Sequence, residues 1–282
     1  MALMHVNFYS QALGIACSMD VILPELAQGI GVDGMPSWDG VELLPVLYLL
    51  HGTSHDHTIC QRRTSIERYV SGKKLAVVMP AVARSTYTDQ VHGYDYWTFV
   101  SEELPSICQK LFRISPRRED NFAAGLSMGG YGAMKLGLRC PEKYAAVASL
   151  SGGLDRLSAQ MKQYSAKELS DPAFLRELKK SDPVAYDRAS DFLDTFGSVA
   201  EYSGSDNDLF AVLERLAKVG GPFPDIYMAI GTEDFHYEPN QRFRAKLDEY
   251  GVPYTYEEGP GIHEWAFWDK YIQNVIRWLP IK

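Results

Sequence analysis

The sequence predicts an α/β architecture, a mainly parallel sheet with helices packed on both faces. Three observations carry that expectation. Apolar runs at 45–50, 75–81, 144–150 and 226–230 are continuous rather than alternating, as in strands buried on both faces. Between them lie segments of helical periodicity, the pattern of parallel strands joined by crossover helices. Between one strand and one helix lies Gly125-Leu126-Ser127-Met128-Gly129, a Gly-x-Ser-x-Gly turn that places a serine at the sheet's carboxyl edge.

In chain order, residues 5–24 read as two extended segments around Leu13-Gly14, an antiparallel hairpin at a sheet edge. The glycine-rich stretch 29–40 reads as a loop. The run 45–50 is a buried strand, followed by His51-Gly52-Thr53-Ser54 and a helix predicted over 57–70. The strand at 75–81 leads into a polar loop up to Tyr96. Val100, Leu104, Ile107, Cys108 and Leu111 make a helical face, kinked at Pro105, which cannot donate its amide. After the Gly-x-Ser-x-Gly strand, Ala133, Leu136, Gly137 and Cys140 mark a helix that Pro141 ends. The strand at 144–150 closes on Ser151-Gly152-Gly153.

From 153 to 221 the alternation stops. Asp171-Pro172 and Asp182-Pro183 pair an N-cap with a first-turn proline, and a third helix with apolar face Leu209, Val212, Leu213 and Leu216 ends at Gly220-Gly221. The stretch is expected to be a helical cap inserted into one domain spanning 1–282 and lying over the strand ends. The strand 226–230, a helix marked by Phe243, Leu247 and Tyr250, a last strand at 253–257 and a helix carrying Trp265, Trp268, Ile272, Val275 and Leu279 complete the chain.

With 282 residues and 46% hydrophobic composition, the chain can bury one large core. A net charge of −8 argues against nucleic acid or an anionic membrane as partner. No signal peptide or bilayer-spanning run is read, and four widely spaced cysteines fit free thiols in a reducing, cytoplasmic compartment. A homo-oligomer is left open.

The chemistry starts at Ser127. A serine hydroxyl needs a general base, and the base needs an orienting acid. His263 follows the last strand and so emerges at the same sheet edge as Ser127. His236 lies too close in sequence to the best acid to bridge to Ser127 readily, and His51 is expected to serve loop structure. The strand 226–230 runs into Gly231-Thr232-Glu233-Asp234-Phe235, where Asp234 completes the chain order serine, acid, histidine of the α/β-hydrolase arrangement. Glu233 is expected to face solvent or pair with a surface base. Met128 N–H, directly after the nucleophile, and Thr53 N–H, in the loop after the strand 45–50, are the expected oxyanion donors. His51, His55, Asp56 and His57 crowd together, but their order matches no catalytic zinc pattern, so neither a metal nor another cofactor is expected.

These motifs resemble the esterase D family. The resemblance rests on Leu-Leu-His-Gly at 49–52, Glu-Glu-Leu-Pro at 102–105, Gly-Leu-Ser-Met-Gly-Gly-Tyr-Gly-Ala at 125–133, Gly-Thr-Glu-Asp-Phe at 231–235 and Gly-x-His-x-Trp-x-x-Trp at 261–268. The segments His-Gly-Thr-Ser at 51–54 and Arg-Arg-Thr-Ser-Ile-Glu-Arg-Tyr at 62–69 are similar to the bacterial tributyrin-esterase branch. The resemblance implies a cofactor-free serine carboxylesterase acting on short acyl esters. It assigns Ser127, Asp234 and His263 to the triad and Thr53 and Met128 to the oxyanion hole. The family also holds S-formylglutathione hydrolases and feruloyl and acetylxylan esterases, which share the triad and stay open as alternatives. A metallohydrolase and a non-catalytic binding protein are the readings from other classes.

Overall fold

The computed structural model describes residues 1–29, 32–35, 42–157 and 163–281. Eight strands form one sheet: β1 (Ala2–Ser10), β2 (Ile15–Leu23), β3 (Val46–Leu50), β4 (Ala76–Pro80), β5 (Asn121–Leu126), β6 (Ala146–Leu150), β7 (Asp225–Gly231) and β8 (Thr255–Gly259). Their spatial order is β1-β2-β4-β3-β5-β6-β7-β8. The β1–β2 hairpin and the β2–β4 contact are antiparallel, and every other neighbour pair is parallel. The predicted α/β sheet with an edge hairpin is therefore what forms. Part of the 29–40 loop lies outside the described residues; within it, Gln28–Gly29 pairs with Val32–Asp33 in a short ladder.

The continuous apolar runs are explained by burial on both faces. Val46, Tyr48 and Leu50 of β3 join one cluster with Val78, Ala123, Val147 and Met228, against residues of the helices Met128–Arg139, Leu209–Val219 and Tyr237–Glu249. Leu47 and Leu49 point the other way, into a cluster with Phe122, Ala148 and Tyr227 that Trp268, Ile272 and Val275 of the helix Trp265–Trp278 cover. No helix among the described residues is long and apolar enough to cross a membrane.

Two helices differ from the sequence expectation for local reasons. The helix expected over 57–70 is two short ones, Ile59–Arg63 and Ile66–Val70. Thr64 breaks it by turning its hydroxyl onto the Cys60 carbonyl (2.7 Å) and accepting the Ile66 N–H (3.1 Å). Such side-chain bonding competes with the helical ladder. Around Pro105 the chain makes a π turn, Phe99–Glu103, between the helical segments Tyr96–Thr98 and Leu104–Phe112. Pro105 has no N–H for the Ser101 carbonyl, and Lys143 Nζ donates to that carbonyl instead (3.1 Å).

The insertion is helical among its described residues: Ala166–Leu169, Pro172–Ser181, Pro183–Phe196, Val199–Tyr202 and Leu209–Val219. Asp171 caps the second by accepting the Ala173 N–H (2.8 Å), Asp182 the third by accepting the Ala185 N–H (3.0 Å). The insertion is tied to the helix after Ser127 by two buried side chains. Tyr131 donates its hydroxyl to the Asn207 carbonyl (2.6 Å), and Lys135 donates to Asn207 Oδ1 (2.7 Å), Thr88 Oγ1 (2.8 Å) and the Tyr87 carbonyl (3.0 Å). A buried ammonium is tolerated only with such a set of acceptors.

Candidate active site

Ser127 occupies the turn between β5 and the helix Met128–Arg139 with φ 56° and ψ −116°, a left-handed conformation that costs free energy. Two neighbouring glycines make this turn sterically feasible. A β-carbon on Gly125 would lie 2.4 Å from the backbone of Gly129, and one on Gly129 would lie 2.1 Å from the Leu50 carbonyl oxygen. The turn is pinned by Ser127 N–H donating to the Leu150 carbonyl (2.9 Å) and by Gly153 N–H donating to the Ser127 carbonyl (3.2 Å).

The strand ends of β7 and β8 bring the expected acid and base to this serine. Asp234 Oδ2 accepts the His263 Nδ1–H at 2.9 Å, and His263 Nε2 accepts the Ser127 hydroxyl at 2.9 Å. The acceptor role of the carboxylate leaves Nδ1 protonated and Nε2 free to take the serine proton. The Asp234 side chain is fully buried, and burial alone would raise its pKa. Hydrogen bonds from His263 and from the His236 N–H (2.8 Å to Oδ1), with the attraction of His263, outweigh burial and hold the carboxyl below its ordinary value.

The two loops that carry this pair are zipped together. Thr232 N–H donates to the Gly259 carbonyl (2.9 Å) and Glu233 N–H to the Gly261 carbonyl (3.1 Å). Glu233 is exposed, as expected, and its carboxylate also accepts the Gly261 N–H at 2.7 Å, two residues before His263. It therefore braces the histidine loop, and the reason is that the loops after parallel neighbours β7 and β8 leave the sheet side by side.

Thr53 and Met128 flank the serine. Met128 opens the helix, so its N–H has no partner within that helix, and Thr53 follows Gly52 in a turn closed by His55 N–H on the Gly52 carbonyl (3.1 Å). A β-carbon on Gly52 would lie 3.0 Å from Leu126 Cδ1 and 3.2 Å from His55 Nδ1, so glycine lets this loop pack closely beside the Ser127 turn. Among the described residues, neither amide donates a hydrogen bond.

The histidine cluster disperses. His51, 1% exposed, donates from Nδ1 to the Gly52 carbonyl (2.8 Å) and accepts the Val82 N–H at Nε2 (3.1 Å), which makes it a loop brace. His55 packs on Trp265, and His57 turns toward Asp20. Among the described residues no three potential ligands gather to hold a metal ion.

Burial pushes His51 from 6.5 down to about 4. Above about pH 6.5 it is neutral whether the chain is folded or not. Between those values only the unfolded chain binds the proton, so acidification favours unfolding. At about pH 5 this should cost on the order of 2 kcal/mol relative to neutral pH. Urea unfolding across that range should lose about one proton's worth of pH dependence in His51→Gln. An undiminished slope would place the proton uptake elsewhere.

Ser127, His263 and Thr53 open into a cavity of about 1060 Å³. Its wall includes Val184, Asp187, Arg188, Asp191 and Phe192 from the insertion, together with Phe235, His236, Trp265 and Trp268. Trp265 lines the cavity, while Tyr131 is buried against Asn207. Phe235, whose ring lies tilted against that of His263 with centres 4.4 Å apart, and His236 also line it; their proximity to Asp234 in sequence is the signal that could have found them.

Known proteins resemble this chain over nearly its whole length. Over 288 aligned residues the chain is 31% identical to an acetyl esterase of Caldicellulosiruptor saccharolyticus, covering 99% of this chain and 98% of that one. Two solved structures from Staphylococcus aureus, each 31% identical and covering 99% of this chain and 98% of their own, share the fold. They are the substrate-bound fluorophosphonate-binding serine hydrolase FphF, with TM-score 0.81, and the S-formylglutathione hydrolase FrmB, with TM-score 0.77. The sheet is thus that of an α/β-hydrolase. Since the Esterase family model matches residues 26–279, the chain belongs to the Esterase family and is a carboxylic ester hydrolase.

Proposed function

We propose that the chain is a serine carboxylesterase that hydrolyses short-chain acyl esters through an acyl-enzyme intermediate. The observation that carries this reading is the unbroken hydrogen-bond chain from Ser127 through His263 to buried Asp234 at the wall of the cavity. Ser127 Oγ attacks the ester carbonyl while its proton passes to His263 Nε2, and Asp234 stabilises the imidazolium. The Thr53 and Met128 amides donate to the developing oxyanion, each contributing about 3 kcal/mol to transition-state stabilisation. His263 then returns the proton to the leaving alkoxide as the carbon–oxygen bond breaks. Water, deprotonated by the same nitrogen, attacks the acyl-enzyme and frees Ser127. The four free cysteines support a reducing, cytoplasmic setting.

The insertion at 153–221 acts as a cap in this reading, supported by its wall residues Val184 and Phe192. A panel of p-nitrophenyl esters of rising chain length, with feruloyl, acetylxylan and formyl-thioester substrates beside it, tests both points. The highest kcat/KM is expected on acetyl to butyryl esters; a hundredfold preference for a feruloyl ester would replace the proposal. Phe192→Ala widens the cavity from the cap side and should raise the octanoate-to-acetate ratio of kcat/KM by about tenfold. A folded variant with an unchanged ratio would make the insertion peripheral.

A further inference from the structure

Three guanidinium groups, Arg84, Arg156 and Arg188, line the cavity that holds Ser127. Arg84 is committed: it forms an ion pair with Asp191 and feels the charge of Asp187. Among the described residues, neither Arg156 nor Arg188 makes a hydrogen bond or ion pair. Arg188 is exposed on the insertion, where a free cation is well solvated. Arg156 is half-buried, and a guanidinium removed from water without an acceptor is costly.

Arg156 is also aimed. A β-carbon on Gly153 would lie 3.4 Å from Arg156 Nη1 and 3.5 Å from His236 Nε2, so both nitrogens face the space in front of that glycine. Gly153 is bonded to the Ser127 carbonyl, and the His236 ring stands 5.3 Å from that of His263. This places the two nitrogens beside the imidazole that protonates the leaving group. Burial, with the nearby charges of His263 and Arg156, pushes His236 down to about 3, so at neutral pH it offers a hydrogen-bonding nitrogen without a second charge. A planar guanidinium beside a neutral imidazole suits a carboxylate, which accepts from both.

Resting on the esterase reading above, we propose that Arg156, assisted by His236, determines specificity by binding a carboxylate on the leaving group. The favoured substrates are then esters or thioesters of an acidic alcohol or thiol. Asp187, Asp191 and Glu264 also line the cavity, but Asp191 pairs with Arg84, Asp187 acts on the same guanidinium, and Glu264 is exposed to solvent at the start of the helix Trp265–Trp278.

The test compares 3-acetoxybenzoate with 3-acetoxybenzamide, which differ in charge and hardly in size. The wild-type ratio of kcat/KM should favour the benzoate. Arg156→Gln should lower that ratio about tenfold to a hundredfold, the scale of a charge-assisted hydrogen bond. Arg156→Lys, which keeps the charge without the fork, should fall between. Turnover of the benzamide reports that each variant is folded and active. Binding of the products, 3-hydroxybenzoate against 3-hydroxybenzamide, is followed by ligand-observed NMR and needs no turnover. Loss of both turnovers with selective benzoate binding would overturn the esterase reading and keep the anion site. Benzamide turnover with a charge ratio that Arg156→Gln leaves unmoved would overturn the anion site alone.

Discussion

Ser127→Ala should lower kcat on p-nitrophenyl acetate by at least about a thousandfold while leaving the protein folded. The hydroxyl's one hydrogen bond is to His263, so removing it unpairs no other buried group. Alanine also keeps the β-carbon that serine already carries at φ 56°, so the strain of the turn is the same in both proteins. Thermal unfolding should therefore shift little. A fluorophosphonate probe should label the wild type once and the variant not at all, because the phosphorus must be attacked by an activated hydroxyl. A folded variant that retains more than about a thousandth of wild-type kcat would move the nucleophile to another residue.

Much of this was legible because the informative features are local. The strands around the site are buried on both faces, and Leu47 beside Tyr48 reads as such whatever lies next to them. The Gly125 and Gly129 spacing carries its own steric reason. The order Ser127, Asp234, His263 follows from where parallel strands end. Features made by two distant segments were not legible. Glu233 braces the Gly261 amide only because the loops after β7 and β8 leave the sheet together. Arg156 and His236 meet in front of Gly153 only because loops far apart in sequence leave the sheet together, which no local pattern encodes. Some misses had a signal. Ser165 with Glu168 and Ser198 with Glu201 are capping boxes at the two short helices of the insertion, both readable in sequence. Thr64 as a helix breaker had none stronger than an ordinary threonine.

The adjacent carboxylates Glu233 and Asp234 should separate by orders of magnitude. Asp234 is buried and bonded to His263 Nδ1, whereas Glu233 is exposed and bonded to the Gly261 amide. Asp234→Asn preserves shape but replaces an acceptor-only carboxylate with an amide that can donate. Asparagine no longer demands a proton on Nδ1, so the tautomer that leaves Nε2 free for Ser127 loses its support. The imidazolium formed during attack also loses its counter-charge. The expected fall in kcat near neutral pH is on the order of 10⁴-fold, the size the same substitution has in the serine-protease triad. Glu233→Gln keeps an oxygen for the Gly261 N–H, so the histidine loop stays braced and the loss should be under about tenfold. Glu233→Ala removes that acceptor and should cost more than the glutamine variant, since His263 is then held by fewer contacts. The three variants measured at one pH separate proton transfer from loop positioning. If Glu233→Gln lost more activity than Asp234→Asn, the acid of the proton-transfer chain would be Glu233.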